Sequence, residues 1–81
     1  MNIYLLERTD DTSDVWDENL GFVVVARTPR HAREIAGYTT SGDEGCDFWR
    51  DSEHVKVTKI GEVHSYGTRT ARVVLYSFKA G

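Results

Sequence analysis

Four side chains suited to holding an anion fall within seven positions: Arg27, Arg30, His31 and Arg33. They straddle Thr28-Pro29, which reads as a helix N-cap followed by proline at the first helical position. Free N–H groups at a helix start favour an anion, and guanidinium forks add paired donors. The first chemistry suggested by the chain is therefore phosphate binding. Trp49, Tyr66 and Tyr76 offer aromatic faces on which a base can stack, and Arg69 with Arg72 forms a second basic group. The sequence has no glycine-rich phosphate cradle. The competing reading pairs these arginines with the chain's own carboxylates, within the chain or across a subunit interface.

Other chemistries find less support. His31, His54 and His64 accompany the single thiol, Cys46, and no CxxC or HExxH spacing is present. Asp10, Asp11, Asp14 and Asp17 resemble a calcium loop in charge alone. The turn glycine and the closing bidentate glutamate of an EF-hand are missing. Cys46 lies between Glu44 and Asp47, and neighbouring carboxylates disfavour a reactive thiolate. Asp43 and Asp47 could in principle act as acid and base, but acidic loops hold such pairs by chance far more often than active sites do. No catalytic residue, metal or cofactor is expected, and the reading is binding rather than catalysis.

These residues need a scaffold. Residues 2–7 alternate as a first strand. Residues 8–21 read as a long polar loop, with Trp16 as its anchor to the core or, alternatively, as an exposed contact residue. Residues 22–26 are an unbroken apolar run suited to a strand buried on nearly both faces. A short helix follows, with Ala32, Ile35 and Ala36 inward and Gly37 as its stop. Residues 38–54 form a second acidic loop in which Cys46, Phe48 and Trp49 pin the chain to the domain, and Phe48-Trp49 can seed a turn of 3₁₀ helix. Residues 55–63 make another strand, with Ile60 out of phase beside Gly61, a bulge signal. Residues 70–78 form the last strand, apolar on both faces. That pattern predicts a central strand, or one covered by the helix and by a second subunit. The order β-β-α-β-β gives an α+β domain spanning 1–81, a mostly antiparallel sheet with one short helix on a face.

Composition bounds the rest. A chain of 81 residues holds one thin core and gains from self-association, so a homodimer or higher oligomer is expected. One cysteine cannot form an internal disulfide, which fits a reducing cytoplasm. No secretory leader is apparent, and the longest apolar run is too short to span a membrane. Ten of the thirteen acids lie in the two loops. The net charge of −3 argues against nucleic acid as the main partner.

The pattern VVVAR-x-P-x-x-AR-x-IA, then a tryptophan-containing acidic loop, then VKVTKIGE and VVLYSFKAG resembles a group of small bacteriophage accessory proteins, especially those of actinobacterial phages. The resemblance covers residues 20–81. It implies a non-structural viral protein acting in the infected cytoplasm by binding something of the host, with an anti-defence role among the expectations. Two binding functions follow. The chain neutralises a host protein, with its acidic loops imitating nucleic-acid charge. Alternatively, it is a sponge for a small nucleotide messenger, held at a subunit interface by Arg30, Arg33 and stacked aromatics.

Overall fold

The computed structural model describes residues 1–40, 42–63 and 72–79. The chain builds an α+β domain from β1 (Asn2–Arg8), β2 (Glu18–Ala26), α1 (Pro29–Thr39), a 3₁₀ turn (Cys46–Arg50), β3 (Val55–Glu62) and β4 (Arg72–Lys79). The strands form one antiparallel sheet in the order β3-β1-β2-β4.

Alternation sorts the β1–β2 hairpin into two faces. Tyr4 pairs with Val24, Leu6 with Phe22 and Asn2 with Ala26, so these side chains share a face. Tyr4, Leu6, Phe22, Val24 and Ala26 are all buried and join Ala32, Ala36, Trp49 and Val55 in the core. On the other face, Ile3, Leu5 and Val23 are half-buried and Val25 is buried.

Helix α1 starts as its sequence dictates. Thr28 is extended, with φ −139° and ψ 161°, and its Oγ1 accepts the His31 N–H at 3.1 Å. Pro29 takes the first turn. Gly37 does not stop the helix, which runs on to Thr39. Its role is close approach: a Cβ on Gly37 would lie 2.9 Å from the Cys46 carbonyl oxygen and 3.1 Å from Arg50 Nε. Small residues at 32, 36 and 37 let the helix lie close against its neighbours.

Three further expectations need correction. The first loop is shorter than residues 8–21, because β2 already begins at Glu18 and β1 includes Arg8. Polar Glu18 and Asn19 tolerate a strand position because their polar groups find partners, as described below. Cys46 is exposed and does not pin its loop; Trp49 and the half-buried Phe48 do. The last strand is not central: β4 lies at the edge, with Val74 and Leu75 55% and 64% exposed. A register shift separates Val73 and Leu75, which simple alternation would put on one face. Val24 pairs with Val73 but Val23 with Leu75, so Val74 is the extra residue. The bulge turns Val73 onto the core while Leu75 lies beside Val23. In β3 the expected bulge is present: Ile3 pairs with Gly61 and Tyr4 with Lys59, leaving Ile60 outside the ladder.

Candidate functional site

One end of the sheet gathers the acidic residues. Arg8, the last residue of β1, organises it from a side chain only 4% exposed. Its Nε and NH2 donate to Asp10 at 2.9 and 2.7 Å, and its NH1 donates to Glu18 Oε1 at 3.0 Å and the Asn19 carbonyl at 3.1 Å. Its guanidinium carbon lies 4.4 Å from the centroid of the Phe48 ring. A buried guanidinium needs such partners to offset its lost hydration. Hydrogen bonding to Asp10 raises the Arg8 pKa above its ordinary value, outweighing burial. The same contact holds the Asp10 carboxyl below the usual range.

A second device fixes the other acidic loop. Glu44 Oε1 accepts the Asn19 N–H at 3.1 Å, and Oε2 accepts Thr40 Oγ1–H and Trp49 Nε1–H, both at 2.6 Å. Asn19 Nδ2 in turn donates to Thr40 Oγ1 at 2.5 Å. Burial pushes the Glu44 carboxyl up, but hydrogen bonds from Thr40, Trp49 and Asn19 outweigh it and leave the carboxyl below its ordinary value. The Asp43 N–H donates to the Asp17 carbonyl at 2.8 Å and joins the two acidic loops.

The first loop is also shaped from within. The Ser13 N–H donates to Asp11 Oδ1 at 2.9 Å, and the Val15 N–H donates to the Thr12 carbonyl at 3.2 Å. Asp17 sits at φ 56°, a left-handed backbone that aspartate tolerates better than most residues. Trp16, beside it, is 54% exposed, so it is displayed rather than used as the loop's anchor. Asp10, Asp11, Asp14, Asp17, Asp43 and Asp47 are exposed along the two loops. Arg50, another cation at this end, faces Asp47 at 3.4 Å and lies 4.9 Å from the Tyr38 ring centroid.

Among the described residues, Arg27, Arg30, Arg33 and Trp49 do not converge. Trp49 has no solvent exposure; its ring meets Phe22 edge-on at 4.7 Å, so it cannot stack a ligand base. Arg30 is 91% exposed and faces Glu34 of its own helix at 3.5 Å. Arg33 is half-buried and donates to the Val55 carbonyl at 2.6 Å, tying α1 to β3, and its charge also acts on Asp51 of the second acidic stretch. Arg27 is exposed at the end of β2. Tyr76 lies in β4, paired in register with Phe22. Tyr66 and Arg69 lie outside the described residues. Arg27 and Arg30 thus mark the end of the sheet opposite the acidic loops. Nine-residue β2 separates the two ends by about 30 Å, several Debye lengths at physiological salt.

The residues that build the acidic end carried a faint signal. Arg8 reads as the first loop residue because a charge at a strand end looks like the strand's exit. Glu44 is one of ten loop acids, and nothing in its neighbourhood marks it as the one that meets an indole.

Among the described residues, one histidine meets a carboxylate. His54 Nδ1 lies 2.8 Å from Asp51 Oδ2, but the nearby Thr9 hydroxyl donates to the Glu53 and His54 carbonyls at 3.3 and 3.2 Å. Among the described residues, no group of three or more His, Cys, Asp or Glu side chains is placed to hold a metal ion. Among them, too, no helix is long and apolar enough to cross a membrane. Comparison with protein families, with curated proteins and with solved structures gives no match.

Proposed function

We propose that this chain is a non-enzymatic binding protein of the phage accessory type. Its acidic end occupies the basic, nucleic-acid-binding surface of a host protein in the cytoplasm and thereby inhibits it. One observation supports this reading above the others: the two acidic loops are joined by Asp43 N–H to the Asp17 carbonyl at 2.8 Å. Two stretches of carboxylates distant in sequence therefore form one surface. Their shape is set in advance by Arg8 and Glu44, so little ordering entropy opposes binding. A fixed array of carboxylates offers a basic groove the charge that phosphates offer. Trp16 supplies an aromatic contact within it, a residue type enriched at binding hot spots.

The test is affinity capture from a host lysate on the immobilised protein. The expected partner is a basic protein that is released by duplex DNA and by rising salt, and lost on Asp11→Asn with Asp14→Asn and Asp17→Asn. A partner retained regardless of DNA, salt and those substitutions overturns the reading. A nucleotide that co-purifies and raises the melting temperature would also overturn it, in favour of the messenger sponge.

A further inference from the structure

The two outer strands of the sheet are guarded differently. Both outer strands carry a bulge, Ile60 in β3 and Val74 in β4, but only β3 carries lysines between its end residues, Lys56 and Lys59. Lysines on an edge discourage pairing with another chain. β4, at the opposite edge, has an uncharged run over residues 73–78, with Val74 and Leu75 well exposed. Among the described residues, no strand pairs with the outer edge of β4. On the sheet, from β1 across β2 to β4, Leu5, Val23, Leu75 and Ser77 help line an open groove of about 120 Å³.

Charge selects the occupant. β4 begins at the basic end, where Arg72 pairs with Val25 near Arg27, and finishes at the acidic end, where Lys79 pairs with Glu18. A second copy running antiparallel along β4 reverses that polarity. It sets the acidic loops of each copy on the same side as Arg27 and Arg30 of the other. Parallel pairing would set acid beside acid.

We propose that β4 is a dimerisation edge, along which two copies pair antiparallel about a twofold axis near Leu75. The outer-edge N–H and C=O groups of β4, which no strand among the described residues pairs, are satisfied by those of the second copy, and the sheets become one of eight strands, four from each copy. Leu5, Val23 and Leu75 of both copies then fall on one continuous face of the joined sheet.

Sedimentation of the full chain over a range of concentrations tests this. The expected limiting mass is twice the 9.2 kDa of one chain, and association weakens as salt screens the two end contacts. Leu75→Lys returns the mass to that of one chain; its circular dichroism verifies the fold. In a Cys46→Ser background, Leu75→Cys gives a disulfide-linked dimer under a mild chemical oxidant, whereas Lys59→Cys does not. A mass of 9.2 kDa at every concentration overturns the proposal. So does a dimer that survives Leu75→Lys, or cross-linking through Lys59→Cys instead. Association indifferent to salt overturns the antiparallel arrangement.

Discussion

The Trp49 indole, with no solvent exposure, donates its Nε1–H to Glu44 Oε2 at 2.6 Å. A core aromatic and a loop carboxylate are thus one unit. Glu44→Ala strips the partner from a buried indole N–H and from the Asn19 N–H. It should cost about 3 kcal/mol, the scale of an unsatisfied buried donor. Denaturant unfolding measures the loss, and an unchanged midpoint would mean that the carboxylate is dispensable.

Acid should weaken the same device. The Glu44 and Asp10 carboxyls both lie below their ordinary values of 4.5 and 3.8 in the folded protein. The unfolded chain therefore binds more protons in this range, and stability rises with pH. The contribution is complete above about 4.5 and is lost as pH falls through the depressed folded values. Melting temperatures should fall below that pH, and Glu44→Gln should flatten the fall. A wild-type profile that stays level down to strongly acidic pH would rule this out.

Arg8→Lys keeps the charge but loses the fork that holds Asp10, Glu18 and the Asn19 carbonyl together. The change should cost about 2 kcal/mol through lost charge-assisted hydrogen bonds. Hydrogen exchange should quicken in residues 9–17 before the rest of the sheet responds. Uniform quickening across the sheet would instead assign Arg8 to global stability alone.

Gly37→Ala sets two effects against each other. Alanine in a helix interior is favoured over glycine by about 1 kcal/mol. The added methyl, however, meets the Cys46 carbonyl at 2.9 Å, and backbone cannot swing aside as a side-chain tip can. The clash should win and lower the melting temperature. A stabilised variant would show that the 3₁₀ turn yields easily.

Periodicity and capping rules recover much of the fold. The Thr28-Pro29 start, the alternation of β1 and the slip at Ile60 each follow from local stereochemistry. The failures come from partners distant in the chain. Gly37 looks like a stop until the 3₁₀ turn is seen lying against it. Glu18 and Asn19 look like loop residues until Arg8 and Thr40 satisfy them. Val74 slips the phase of β4 only because of how that strand meets β2. At the candidate site the total acidity is plain in the composition. Which carboxylates are committed inward and which are displayed depends on contacts spanning up to 25 residues.

With the β1–β2 hairpin at the centre and β3 and β4 on opposite sides of it, the two outer strands share no ladder. In a single chain each can therefore detach alone. Loss of β4 leaves Trp49, Phe22 and Val55 packed beneath α1; loss of β3 removes Val55 from that core and frees Arg33. The chain should therefore open in graded steps, with the outer-strand amides exchanging before those of the hairpin. Folding runs the steps backwards: the hairpin closes the shorter loop, and the strands requiring longer closures join it afterwards.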